Sequence, residues 1–275
     1  MTSPIASQTL LAAQVAASTV RSGSTPGGGA AASAGATSNS TASSSSANTE
    51  SGTPSATDIV SAKAAAANSA TYSFASVTQN ARTVLDAGER AYGKQPDMYT
   101  TATQWDQTFG GMDRRSLYAV ASNSGGQFSV QEQGYAKEVM FDQVSAAMRA
   151  GSANPPYADT TSMGNAIAFL NNVSPEEKQS PLWALTMAGA KTGYNVLASE
   201  EGKPQVADDG TNPLVKVLMA AMKAAQYDPS KDRTTAGGDS LASILSNPWA
   251  KGFEDQIQAA YAAAVPQGSV VNLTV

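Results

Sequence analysis

Residues 113–149 constrain the fold more than any other stretch of the chain. They read as a helix, Asp113–Ala121 (DRRSLYAVA), a glycine-containing bend, Ser122–Ser129 (SNSGGQFS), and a longer helix, Val130–Arg149. On the second helix Tyr135, Val139, Met140, Val144, Ala147 and Met148 recur at helical spacing and predict one buried face. Burying such a stripe contributes on the order of 10 kcal/mol at most. Fixing about 20 backbones costs more than that. The helix pair therefore needs neighbours and must belong to a larger helical core.

The rest of the chain supplies those neighbours. Thr57 or Asp58 can cap a helix through the alanine run to about Ala70. Phe74, Val77, Ala81, Val84, Leu85, Gly88 and Tyr92 mark a stripe on a helix over 73–92, ended by Gly93 and Pro96. A short helix over 99–109 carries Trp105. Ser174-Pro175-Glu176-Glu177 and Ser180-Pro181 each combine an N-cap serine with proline at the first helical position. Between Pro155 and Ser174, Asp159 or Thr160 opens a helix holding Ile167, Phe169 and Leu170. Leu182–Ser199 carries Trp183, Met187, Ala190, Tyr194 and Leu197 on one face. Pro213 to about Gln226, Ser240–Ser246 and Pro248–Val265 complete the helical part. No strand–helix alternation occurs, although the tail Gly268–Val275 (GSVVNLTV) is strand-like. The expectation is one all-α domain of about eight helices over residues 57–275. Trp105, Trp183 and Trp249 are expected in its core.

Residues 1–56 have a different character. Residues 2–20 can form a weakly amphipathic helix, marginal by itself. Residues 21–56 are almost all Ser, Ala, Gly and Thr, without Val, Ile, Leu, Met or an aromatic side chain. Such a stretch buries too little apolar surface to offset its ordering entropy and reads as a disordered linker.

Composition narrows the chemistry. The chain has no cysteine and no histidine. Thiolate and imidazole nucleophiles, zinc fingers and haem ligation by histidine are excluded. Acid–base work would fall to Asp, Glu, Lys or Tyr, and no catalytic residue is assigned. The net charge of −5 and the lack of a basic run argue against nucleic acid as a partner. Arg114–Arg115 is the one adjacent basic pair and reads as a solvated helix start. Glu138 and Asp142 are expected on an exposed face, and Asp208–Asp209, Asp228 and Asp232 in solvated loops. No apolar run approaches the roughly 20 residues that span a bilayer.

Three resemblances follow from these residues. The uncharged Ser/Thr/Ala-rich start resembles the N-terminal export signals of type III and flagellar secretion substrates, which implies an exported protein of bacterial type. Ala121–Glu132 (ASNSGGQFSVQE), flanked by helices, resembles the twelve-residue calcium loop of an EF-hand, over residues 113–149 alone. Gly126 takes the sixth position and Phe128 the apolar eighth. Ala121 and Gly125 leave the first and fifth positions without a side-chain oxygen. The resemblance implies that a bound calcium would be held by Asn123, Gln127, Ser129 and Glu132. The same residues fit a simpler scheme, in which Ser129-Val130-Gln131-Glu132 is a capping box and the loop is packing geometry. No metal or other cofactor is expected on that reading. Tyr118–Phe128 also resembles the helix end of goose-type lysozymes and lytic transglycosylases, with Asn123 where those enzymes carry the acid. An amide cannot protonate a glycosidic oxygen. The leading expectation is a non-catalytic helical protein that binds a protein partner. A calcium-responsive protein and a carboxylate-dependent glycan hydrolase are the alternatives.

Overall fold

The computed structural model describes residues 56–93, 100–109, 111–150, 159–207, 212–227 and 240–264. All of them fall in one unit, Gly52–Val275. The described residues form eleven α-helices and no strand, so the fold is all-α. The N-terminal helix and linker, the tail from Gly268, Pro96, Asp208–Asp209, Asp228 and Asp232 lie outside the described residues.

The helices are α1 (Ala56–Ala67), α2 (Phe74–Tyr92), α3 (Ala102–Phe109), α4 (Arg114–Ala121), α5 (Val130–Arg149) and α6 (Thr160–Asn171). They continue with α7 (Pro175–Lys178), α8 (Pro181–Glu200), α9 (Pro213–Ala224), α10 (Leu241–Leu245) and α11 (Glu254–Ala264). The number exceeds the expected eight; two of the eleven, α7 and α10, are only four and five residues long.

Local chemistry starts most of them. Ser73, Asp113, Ser129, Asp159, Ser174, Ser180, Asn212 and Ser240 each sit just before a helix and accept a hydrogen bond from a backbone N–H of its first turn. These N–H groups have no partner inside the helix, so a short polar side chain in extended backbone supplies one. Proline at the first position of α7, α8 and α9 loses nothing there, because its missing N–H would have been an orphan.

Several expected boundaries shift, and α3, expected from residue 99, begins at Ala102. α1 already begins at Ala56, so Thr57 and Asp58 lie inside its first turn, and it stops at Ala67 short of Ala70. The stop has a tertiary cause. Asp113, the cap of α4, also accepts from the Ser69 backbone N–H at 2.7 Å and the Ser69 hydroxyl at 2.9 Å, pinning a 3₁₀ turn over Ser69–Thr71. The expected helix over 248–265 is broken as well. A 3₁₀ turn, Pro248–Ala250, is followed by Gly252 at φ 87°, a left-handed conformation that suits glycine and ends the turn before α11.

Two hydrophobic cores result. The first gathers Ala62, Ala66, Val84, Leu85, Trp105, Phe109, Leu117, Val120, Phe128, Ala136 and Met140, from α1 to the N-terminal half of α5. The second gathers Val144, Met148, Leu170, Trp183, Met187, Leu214, Leu218, Ile244, Trp249 and Ile257, from the C-terminal half of α5 to α11. All three tryptophans are buried, as the sequence implies. Helix α5 is common to both cores. Its fully buried positions are Glu132, Ala136, Met140, Val144, Ser145 and Met148. Tyr135, Val139 and Ala147, expected in the buried stripe, lie at its margin, half-buried. The stripe is thus turned from the expected one, toward the line of Glu132. Glu132 on that line meets a charged partner on α2, Arg82.

Candidate functional site

The bend between α4 and α5 is built on backbone conformations that few residues tolerate. Asn123 (φ 51°), Gly125 (φ 73°) and Gly126 (φ 68°) are all left-handed. Glycine pays no steric cost there, and asparagine is the side chain that tolerates it best. Asn123 also uses its side chain: Oδ1 accepts from the Phe128 backbone N–H at 2.9 Å, closing the bend. Phe128 is buried in the first core.

Ser129 and Glu132 then form the capping box read from the sequence. The Glu132 N–H donates to Ser129 Oγ at 3.3 Å, and the Ser129 N–H donates to Glu132 Oε2 at 2.7 Å. Glu132 is 2% exposed, which a carboxylate tolerates only with a counter-charge. Arg82 of α2 provides it. Its Nη1 lies 2.8 Å from Glu132 Oε1 and donates to Oε2 at 3.1 Å and to the Gln127 carbonyl at 3.2 Å. The same guanidinium donates from Nε to Asp86 Oδ1 at 2.7 Å and from Nη2 to Glu89 Oε1 at 3.0 Å. Its Cζ lies 5.6 Å from the Phe128 ring centroid.

All four residues that the calcium-loop resemblance assigns are therefore brought together, and each has an oxygen already on a protein donor. Asn123 serves Phe128, Gln127 serves Arg82, Ser129 serves Glu132, and Glu132 serves Arg82 and Ser129. A guanidinium, permanently charged, sits on the acid of the twelfth position. Among the described residues no group of three or more acidic side chains is arranged to hold a metal ion. Sequence reasoning missed Arg82. Its 50-residue separation from Glu132 leaves no local signal, although Arg82, Asp86 and Glu89 share one face of α2 at helical spacing.

One positive charge here faces three carboxylates. Burial pushes the Glu89 carboxyl above its ordinary 4.5, the Glu132 carboxyl beside it pushes the same way, and Arg82 opposes both. Arg90 lines the shallow pocket beside Asp86 and Glu89. A carboxyl with a raised folded-state pKa stabilises the fold while protonated, and that contribution is lost as pH rises from 4.5 through the raised value. Glu89→Gln, which cannot ionise, should therefore gain stability relative to the parent as pH rises above 4.5. Melting temperatures of both proteins between pH 4 and about 8 check this. A difference that stays flat across the range would contradict it.

The arginine pair of α4 departs from its expected role. Arg114 and Arg115 are not a solvated helix start: their side chains are 15% and 16% exposed. Arg114 donates from Nε and Nη2 to the Glu177 carboxylate at 2.7–3.0 Å. Arg115 donates to both oxygens of Glu176 and, through Nη1, to the Ser69 and Tyr72 carbonyls at 2.8 Å. Glu176 and Glu177 do stand in the first turn of α7, where acids favour a helix start, and they also reach across to α4.

Other acids stand apart from this cluster. Glu138 and Asp142 are exposed, as expected. Asp106 accepts from the Tyr135 hydroxyl at 2.6 Å, and the Tyr135 ring stacks on Trp105 at 4.9 Å. Burial first and the Asp106 hydrogen bond second push the Tyr135 phenol up. No described helix is long and apolar enough to cross a membrane. The chain matches no protein-family model, no curated protein and no solved structure.

Proposed function

We propose that this is a non-catalytic helical protein that works through a protein partner, exported through its N-terminal segment, with the α4–α5 bend serving as internal joinery. One observation carries this reading: Arg82 holds the acid of the bend, Glu132, in a buried ion pair. In the helix–loop–helix scheme that the bend resembles, a bound cation draws the loop oxygens together. Here Arg82 holds two of those oxygens, the Gln127 carbonyl and the Glu132 carboxylate, backbone N–H groups take the others, and the bend needs no ligand to keep its shape.

The hydrolase alternative needs two acids facing each other across a groove, roughly 5–9.5 Å apart. Glu89 and Glu132 do converge, but on one guanidinium, and the Glu132 side chain is 2% exposed. A sugar cannot reach it. Asn123, where the transglycosylase-like run would carry its acid, is spent on the Phe128 N–H.

The test has two arms. The purified chain is incubated with peptidoglycan and chitin oligomers, and new reducing ends are counted. None are expected; turnover that disappears in Glu89→Gln would show a catalytic protein. Residues 1–56 are fused to a reporter and expressed beside a type III or flagellar export apparatus. Export supports secretion through the N-terminal segment, and a reporter retained wholly in the cytoplasm contradicts it.

A further inference from the structure

The two cores share α5 and divide along its length. Ala136 and Met140 belong to the first, and Val144 and Met148 to the second. The boundary falls in a single helical turn, between Met140 and Val144. At that turn stands Arg114. Its Nη1 donates to the Met140 backbone carbonyl at 2.9 Å and to Gln143 Oε1 at 3.0 Å. Its Nε and Nη2 hold Glu177 at the start of α7, whose side chain is 3% exposed. Its Cζ lies 4.8 Å from the Phe169 ring centroid on α6. One guanidinium rooted in the first lobe thus grips the spine at the boundary and two elements of the second lobe. Arg115–Glu176 repeats the link beside it, at 2.5 Å.

Next to this clasp a cleft of about 990 Å³ runs between the lobes. The first lobe contributes Ala70 and Arg115, α5 contributes Ala147, and the second lobe contributes Phe169, Val173 and Pro175. We propose that Arg114 is a keystone that sets the angle at which the two cores meet along α5, and with it the width of the cleft. Apolar cores tolerate substitutions that keep total volume and pattern, so they specify one arrangement less sharply. A planar fork whose N–H donors are satisfied on α5 and α7 while its face lies against the Phe169 ring of α6 has few acceptable geometries. Specifying one arrangement is the best-attested use of a buried charged network.

The experiment reads the angle directly. The chain has no cysteine, so Lys63→Cys on α1 and Lys223→Cys on α9 place two spin labels at exposed positions, one per lobe. Pulsed electron–electron double resonance on the otherwise unaltered protein should give one narrow distance distribution. Arg114→Met combined with Glu177→Met replaces the charged pair by apolar side chains of similar length, and should give a broad distribution. Arg114→Lys keeps the charge and loses the fork, and should broaden it as well. Circular dichroism confirms that each variant is folded; should the double variant fail to fold, Arg114→Lys decides. A distribution as narrow as the parent's, with the same mean, in the folded variants would overturn the proposal and leave Arg114 as a stabilising pair without control of the angle.

Discussion

Arg82→Met is expected to destabilise the protein by about 3–5 kcal/mol, because it leaves a carboxylate buried without its counter-charge. Glu132 is 2% exposed and Arg82 15% exposed at their side chains, so solvent cannot take over the missing role. The Ser129 N–H would remain as a donor to Glu132, but one neutral hydrogen bond does not balance a buried charge. The Gln127 carbonyl would lose its donor too. Asp86 adds little to the loss, since its side chain is 41% exposed and such pairs contribute about 0–1 kcal/mol. For a chain of this size the melting temperature should fall by about 10 °C. Urea unfolding of the two proteins checks the figure. A loss under about 1 kcal/mol would show that the ion pair is not what holds the bend.

Arg114→Met should cost a similar amount, about 3–5 kcal/mol, by the same mechanism at the boundary between the cores. Glu177 would be left buried, with the Met140 carbonyl and Gln143 each losing a donor. Here a compensating change separates charge from shape. Adding Glu177→Met removes the orphaned carboxylate and should recover most of the stability, since well-packed apolar replacements of buried ion pairs are often neutral or better. A double-mutant cycle in denaturant reads the coupling. If the double variant were as unstable as the single one, the loss would come from packing against Phe169 and not from the unpaired charge.

What the sequence reveals of this fold is what lies within a helical turn or two. Ser129 and Glu132 are three residues apart, and their capping box is legible on sight. The same holds for Ser174-Pro175 and Ser180-Pro181, and for the stripe from Val77 to Leu85 on α2. The all-α class follows from these signals together. The site is less legible because its organising contacts are remote. Arg82 lies 50 residues from Glu132, and Arg114 lies 63 from Glu177. From sequence alone, Arg114–Arg115 has the composition of any solvated helix start. Burial of its partners makes the difference, and burial is a property of the assembled core. The turned stripe on α5 has the same origin. An acid does not enter a hydrophobic pattern by rule, yet Glu132 is tolerated inside because Arg82 balances its charge. The break at Gly252 was present as a glycine after a proline–tryptophan turn, but an alanine-rich helix on its far side masks it.

In the α4–α5 bend a side chain of the chain itself, Arg82, takes the place of a cation. Calorimetric titration of the unaltered protein with calcium tests it most directly, paired with melting curves in calcium and in chelator. No saturable heat is expected up to millimolar calcium, and the same melting temperature in both solutions. Saturable binding at micromolar calcium, abolished by Glu132→Gln, would contradict it.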